Sequence, residues 1–292
     1  IDSVILNGCE CEPYLTADER VMVEEAGKVV WGLKAIMKSV GAAKGYIGVE
    51  DNKPTAIEAL SKVLDGDSSL KKDIEIVLLE TKYPQGAEKM LIDAVLGRVV
   101  PLGRLPLDVG VVVNNVGTAA VVYDAIKDEK PLIERIVTIS GNGITTPKNL
   151  LVRVGTSFAD VIEECGGLKG SGEKEVLNGG PMMGIAQRSL DVPVTKGTSG
   201  ITVLDADTVK PLDFKACIKC ASCVEVCPMN LMPYRLGDQG RLAMTEDFKA
   251  WSGVSCIECG CCSFVCPSKR PLVQWIRLGK INLRELERAQ SS

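Results

Sequence analysis

Eight of the twelve cysteines fall into two copies of one spacing, Cys217-x2-Cys220-x2-Cys223-x3-Cys227-Pro228 and Cys256-x2-Cys259-x2-Cys262-x3-Cys266-Pro267. Two residues between cysteines let three thiolates of one tight loop face one iron–sulfur cube, while the longer last gap carries the fourth out of its reach. The spacing implies a pair of 4Fe–4S clusters in which each run lends its last cysteine to the other. Cys217, Cys220, Cys223 and Cys266 are therefore assigned to one cluster, and Cys256, Cys259, Cys262 and Cys227 to its partner. Zinc sites pair two CxxC knuckles and need neither the third cysteine nor the terminal Cys-Pro. A disulfide framework belongs to short secreted chains, whereas these cysteines crowd into the last quarter of 292 residues. Cys261, next to a ligand but off the repeat, reads as a small buried residue near the cluster. Such a pair of clusters moves electrons singly.

Composition limits the remainder. At 46% hydrophobic and 25% charged, the sequence is that of a soluble globular chain long enough for two or more domains. A net charge of -4 argues against a nucleic-acid partner, which would call for a basic face. The chain has no histidine. That removes Ser-His-Asp and Cys-His catalysis, His-ligated metals and the usual neutral-pH general base. No stretch reaches the roughly 18 apolar residues of a membrane span, and the nearest, Val109 to Val122, is broken by Asn114, Asn115 and Gly117. The chain starts at Ile1 and runs straight into a strand pattern, Ser3 to Asn7, which reads as a fragment lacking its natural N-terminal part.

Strand and helix patterns alternate through the first 130 residues. Thr16 with Glu19 has the form of a capping box, and Met22, Ala26, Val29, Val30, Leu33, Ile36, Met37 and Val40 keep one helical face to a stop at Gly41. Strands are expected at Tyr46 to Val49, Ile74 to Leu79 and Val109 to Val113, and helices at Pro54 to Leu64, Gly86 to Leu96 and Thr118 to Lys127. This alternation predicts an α/β layer on a mostly parallel sheet. From Ile136 to Leu177 several strands surround one helix, Ser157 to Cys165, as in a small α+β module of the β-grasp kind. An irregular stretch, Ser189 to Phe214, precedes the cysteine region, where Leu231 to Met244 and a terminal amphipathic Pro271 to Ala289 should be helical. The expected fold is multidomain α/β, with a partial α/β domain at 1–130, a β-grasp module at 131–200 and a mainly helical, ferredoxin-like two-cluster domain at 201–292.

Three segments sit where strands end, the place where open α/β sheets bind ligands: Asn7-Gly8-Cys9-Glu10-Cys11-Glu12-Pro13, Tyr83-Pro84-Gln85-Gly86-Ala87-Glu88 and Val113-Asn114-Asn115-Val116-Gly117-Thr118. Singly, each has a plain structural reading: Asn forms turns, and Glu10 and Glu12 are commonly solvated at a strand edge. Together, and in this order, they resemble the Asn-Ala-Asp-Glu-Ser-Glu-Pro, Tyr-x-x-Gly-Glu-Glu and Val-Asn-Asn-Val-Glu-Thr segments of the NADH-oxidising flavoprotein subunit of respiratory complex I. The chain resembles more closely the C-subunit family of the Rnf electron-transport complex, in these segments, in Ser140-Gly141-Asn142-Gly143 and in both cysteine runs.

The resemblance implies FMN held by Asn7, Tyr83, Gly86, Val113, Asn114, Asn115 and Thr118, with Glu12 and Glu88 bordering NAD(H) as substrate. Adjacent Asn amides and backbone groups suit the pyrimidine edge of a flavin without a titrating histidine. Departures from the complex I pattern are Cys9, Cys11, Ala87 and Gly117, so nucleotide contacts differ there. The family's glycine-rich phosphate loop does not occur before Asn7, so this chain alone is expected to hold its clusters with little FMN and to be inactive with NADH. The implied role is an NADH-linked oxidoreductase subunit of an ion-translocating ferredoxin:NAD complex, peripheral on the cytoplasmic face of the bacterial inner membrane and partnered by the other Rnf subunits, membrane subunits included. Two alternatives stay open: a related cobalamin reductase, in which the Asn178 to Gly184 loop binds ligand, and a flavin-free electron-transfer adaptor.

Overall fold

A computed structural model of the chain describes residues 1–172, 174–209 and 213–291. It divides into two compact units, one of Ile1–Val100 and Arg104–Val209, the other of Pro101–Gly103 and Lys210–Ser292.

The first unit opens with a four-stranded parallel sheet of order β3-β2-β1-β4, built from β1 (Ser3–Gly8), β2 (Lys44–Glu50), β3 (Ile74–Leu79) and β4 (Val111–Asn115). The central β1 has the continuous apolar run Val4-Ile5-Leu6 because both its faces are covered. On one face α1 (Ala17–Glu24), α2 (Ala26–Val40), α3 (Pro54–Asp65) and α6 (Val116–Lys127) bury Leu6, Met22, Leu33, Ile47, Leu60 and Val116. The short α4 (Ser68–Asp73) precedes β3, and α5 (Glu88–Leu96) covers the other face with Leu91 and Ile92 over Ile5, Leu79 and Val111. The α2–α6 crossing is so close that a Cβ on Gly32 would stand 1.9 Å from the Ala119 carbonyl oxygen. The chain runs β1, β2, β3 outward and then returns across β1 to β4, so the sheet's topological switch point lies between β1 and β4.

The Thr16 capping box does not form. The Thr16 side chain makes no bond to the helix end. The N–H groups of Asp18 and Glu19 instead donate to the Glu10 carboxylate, at 2.7 and 3.0 Å. The single helix expected up to Gly41 is broken at Glu25, whose φ of -122° leaves the helical region, and α2 closes on Gly41 at a left-handed φ of 74°.

The second sheet has the order β6-β5-β9-β7-β8, from β5 (Glu134–Ser140), β6 (Lys148–Arg153), β7 (Lys174–Asn178), β8 (Ile185–Gln187) and β9 (Gly200–Asp205). Its parallel pair, β5 with β9, sits inside antiparallel neighbours, and α7 (Phe158–Glu164) packs Phe158, Val161 and Ile162 against one face. This is the β-grasp arrangement expected. The expected irregular stretch from Ser189 contains β9, buried from Gly200 to Leu204, and the 200/201 division falls inside it. Lys196-Gly197-Thr198-Ser199-Gly200 supplies breakers on one side, and the four apolar or β-branched residues Ile201 to Leu204 in the middle of a sheet show no period-2 alternation.

In the second unit the cysteine runs end in single-turn helices α8 (Ser222–Glu225) and α11 (Cys261–Phe264), each followed by longer helices. The first run leads into α9 (Pro233–Arg241) and α10 (Thr245–Ala250), which replace the one helix expected from Leu231 to Met244 because Ala243 takes a φ of 53°. The second leads into α12 (Leu272–Ser291). α9 and α12 cross at glycines: a Cβ on Gly240 would lie 2.1 Å from the Trp275 carbonyl oxygen. Among the described residues no helix is long and apolar enough to cross a membrane.

Candidate functional site

The three strand-end segments meet at the carboxyl edge of the parallel sheet. Asn7 and Asn115 are directly paired in the β1–β4 register, one on each side of the switch point. The Asn7 amide donates to the Gly86 carbonyl at 2.8 Å and its oxygen accepts from the Cys9 N–H, tying the first segment to the second. Gly86 also donates its N–H to the Cys11 sulfur at 3.3 Å. Asn115 is the N-cap of α6: its side-chain oxygen accepts from Gly117 N–H at 2.8 Å while its amide donates to Asp18 at 2.7 Å. Asn114 makes no side-chain hydrogen bond among the described residues and is half-buried, like Val113. Thr118, in the first turn of α6, and Glu88, at the start of α5, are exposed.

Two cavities flank these contacts. One, of about 340 Å³, is lined by Glu10, Glu12, Tyr83, Glu50 and Lys53. The other, of about 670 Å³, is lined by Asn115, Gly117 and Thr118 from the α/β layer and by Arg135, Lys196 and Ser199 from the β-grasp module. Asn7 and Gly86 line neither. Glu12 has turned to the β-grasp module: its carboxylate accepts the N–H groups of Met182 and Met183 at 3.2 and 2.6 Å, and a Cβ on Gly180 would strike it at 2.5 Å. Ser140 adds a hydrogen bond to the Tyr14 carbonyl, and Thr138 accepts from Thr16 N–H.

The charges of this edge are invisible to sequence reasoning. A strand-edge Glu10 is expected in solvent, but burial, reinforced by the Asp18 carboxylate, pushes its pKa up to about 8 against the pull of the two helix N–H groups. Asp18 is raised by burial too, opposed by its bond from Asn115. Behind them Glu50 and Lys53, 1% and 5% exposed, form a buried pair at 3.5 Å. Nothing in the periodicity marks these groups, because they are buried by neighbouring segments and not by their own element. Cys9 is fully buried, and desolvation lifts its thiol to about 12, which leaves it an inert apolar residue.

In the second unit the eight cysteines sort into two cavities. Cys217, Cys220, Cys223 and Cys266 line one of about 420 Å³. Cys227, Cys256, Cys259 and Cys262 line a smaller one, together with Cys261, Leu231, Leu236, Val273 and Ile276. Each quartet thus takes three cysteines from one run and the last from the other. The loops repeat in detail: Lys219 and Glu258, at φ 58° and 59°, and Ala221 and Gly260, at 65° and 81°, turn the chain so that successive sulfurs face inward. No three His, Cys, Asp or Glu side chains among the described residues converge closely enough for a single metal ion. Cys261 is buried beside the second quartet, next to Cys262 and off the repeat spacing.

Three family models match the chain in succession: the Nuo51 FMN-binding domain over residues 1–124, an SLBB domain over 136–186 and a 4Fe-4S dicluster domain over 216–270. The C subunit of the proton-translocating ferredoxin:NAD(+) oxidoreductase complex of Clostridium ljungdahlii is 51% identical over 278 residues, covering 95% of this chain and 60% of that protein. Its Na(+)-translocating counterpart from Acetobacterium woodii is 51% identical over 280 residues, covering 96% and 62%. The chain is similar to these C subunits over nearly its whole length. It spans about 60% of the length of those two relatives. In fold it is similar to a chain of the NAD+-reducing NiFe hydrogenase in the H2-reduced state, at a TM-score of 0.63, 17% identity, and coverage of 97% of this chain and 56% of that one.

The matched domains are those of FMN and of paired 4Fe–4S clusters, and the residues of this C-subunit homologue fit both. Each quartet offers four thiols around its own cavity, the donor set a cube requires. At the switch point the Asn114 amide is free of protein partners among the described residues, and Thr118 is the exposed residue in the otherwise largely buried first turn of α6.

Proposed function

We propose that the chain is the nucleotide-side electron-transfer part of an ion-translocating ferredoxin:NAD(+) oxidoreductase, peripheral to membrane partners. The observation that supports this reading is the presence, in one chain, of a parallel-sheet switch point bracketed by Asn7 and Asn115 and of two cavities, each lined by three cysteines of one run and the last of the other. Bound FMN would exchange a hydride with NADH and pass electrons on singly, chemistry no side chain of the protein supplies.

The protein's contribution is placement. Asn7 and Gly86 lock the first two segments together, and Gly86 has to be small there, since a Cβ would crowd the Asn7 oxygen and the Cys9 side chain, each at 3.2 Å. The amides of Asn114 and backbone groups near Val113 and Thr118 are then available to a flavin edge, with Tyr83 beside it and Glu88 toward the nicotinamide nucleotide. Glu12 works indirectly, holding the Met182–Met183 turn against the strand end. In the full-length protein, Asn114→Ala and Glu88→Ala should cut bound FMN and NADH reduction respectively by about tenfold, the scale of one lost polar contact, while iron content stays unchanged. Unaltered flavin content in Asn114→Ala would refute the assignment of that edge.

A further inference from the structure

The two cysteine cavities are related by an internal repeat, yet they differ in the charge of their walls. Among the described residues no charged side chain lines the cavity of Cys227, Cys256, Cys259 and Cys262. The cavity of Cys217, Cys220, Cys223 and Cys266 is lined by Lys219 and Arg270 and by no acid. Arg270 stands four residues after Cys266; its repeat equivalent, four after Cys227, is Leu231, which lines the other cavity. Arg270 is only 6% exposed, a rare state for a guanidinium. Its Nη2 pairs with Asp238, but Arg241 pairs with the same carboxylate at 3.2 Å, and both guanidinium groups lie by the Trp275 ring, 5.0 and 5.2 Å from its centroid. Two cations thus share one acid and one ring. The Nη1 of Arg270 has no hydrogen-bond partner among the described residues. Lys219 and Glu225 are exposed, so water screens their charges. By the other cavity Lys280, which donates to the Cys256 carbonyl at 2.6 Å, and Arg277 also share one acid, Glu258, but none of these three lines the cavity.

We propose that Arg270 is the buried counter-charge of the Cys217/Cys220/Cys223/Cys266 cluster and sets the reduction potential of that cluster above that of the other. This rests on the two-cluster reading above. A buried charge that is only partly paired costs folding free energy unless an opposite charge stands near it. A cube held by four thiolates is anionic, and taking up one electron adds a further negative charge. A positive charge in the cavity wall, with little water between, therefore favours the reduced form, net charge being one of the quantities that fix a cluster's potential. Leu231 gives the other cluster no such aid. Of a single electron shared by the pair, the larger part rests on the cluster beside Arg270. Arg270 acts through the cluster and takes part in no bond change.

The test is an anaerobic redox titration of the full-length, cluster-loaded protein followed by EPR, with Cys220→Ser, a change in this cluster's own three-cysteine loop, used to identify its signal. In the unaltered protein this cluster should have the higher midpoint. Arg270→Leu should lower that midpoint by about 59 mV or more, a tenfold loss in the constant for one-electron reduction, and change the constant of the other cluster less than threefold. Arg270→Lys, which restores a cation, should recover part of the shift. Lys219→Gln, at an exposed charge, should change the constant less than threefold. Where Arg270→Leu loses iron, Asp238→Asn reads the same charge without touching Arg270: it removes the shared acid and should raise the constant at least threefold. A midpoint unmoved by Arg270→Leu, or by Asp238→Asn where iron is lost, overturns the proposal. So does a shift of equal size in Lys219→Gln, no recovery in Arg270→Lys, or a midpoint below that of the other cluster in the unaltered protein. Unaltered protein holding far fewer than about eight irons would count instead against the two-cluster reading, so the two failures are distinguishable.

Discussion

Glu10 shows how much a single residue at the strand end controls. It occupies a left-handed φ of 46° and caps α1 through two N–H groups, yet it is half-buried with the Asp18 carboxylate close by. In the folded protein its proton is held up to about pH 8, against 4.5 for the free group. The folded state therefore binds the extra proton between those values, and stability declines as pH rises from about 4.5 to about 8, by at most about 1.4 kcal/mol per unit. Glu10→Gln keeps an acceptor for the helix end and removes the titration. Its thermal midpoint should fall less than that of the unaltered protein between pH 5 and pH 9, in roughly the range where the two carboxyl states differ. Parallel pH profiles would show that Glu10 is ionised throughout. The sequence displays this Glu as part of a Cys-Glu-Cys-Glu run but offers no sign that it replaces Thr16 as the cap, because the contact is made between a loop and a helix start eight residues on.

Among the elements, the parallel strands, α2 and the cysteine loops were legible because local patterns specify them: apolar runs, a period of 3.6 residues and fixed ligand spacing. β9 and the α9–α10 break were not, since a central strand is fixed by partners on both sides, and the turn at Ala243 carries no Gly or Pro. Two helix glycines differ in the same way, one governed by its own helix and one by a neighbour. Gly27 in α2 has no atom within 4 Å of a built Cβ, so Gly27→Ala should stabilise by about 0.5–1 kcal/mol through helix propensity alone. Gly240→Ala must part α9 from α12, where the Trp275 carbonyl is 2.1 Å away, and should destabilise by about 1–3 kcal/mol with loss of iron. Thermal unfolding and iron content of the two variants would check this opposite pair of signs.

At the scale of the whole molecule, the chemistry depends on two sites that the sequence marked with unequal clarity. Eight cysteines with fixed intervals left little choice of cluster type, whereas the proposed flavin edge rests on segments 7–13, 83–88 and 113–118 that only folding brings together. The cross-ligation has its own consequence: Cys227→Ser should damage the cluster of Cys256, Cys259 and Cys262 and leave the other, as read by EPR of each cluster, since Cys227 lines that second cavity. Damage confined to the Cys217 run would reverse the wiring. The central claim is that the clusters and the nucleotide site exchange electrons. Its most direct test is to reduce the flavin-loaded, full-length protein anaerobically with a low-potential reductant, remove the excess, and add NAD+ while following cluster EPR and NADH absorbance together. The reduced-cluster signals should vanish as NADH forms, about one NADH for every two cluster electrons. Cluster signals that persist beside NAD+, with no NADH formed, would contradict it.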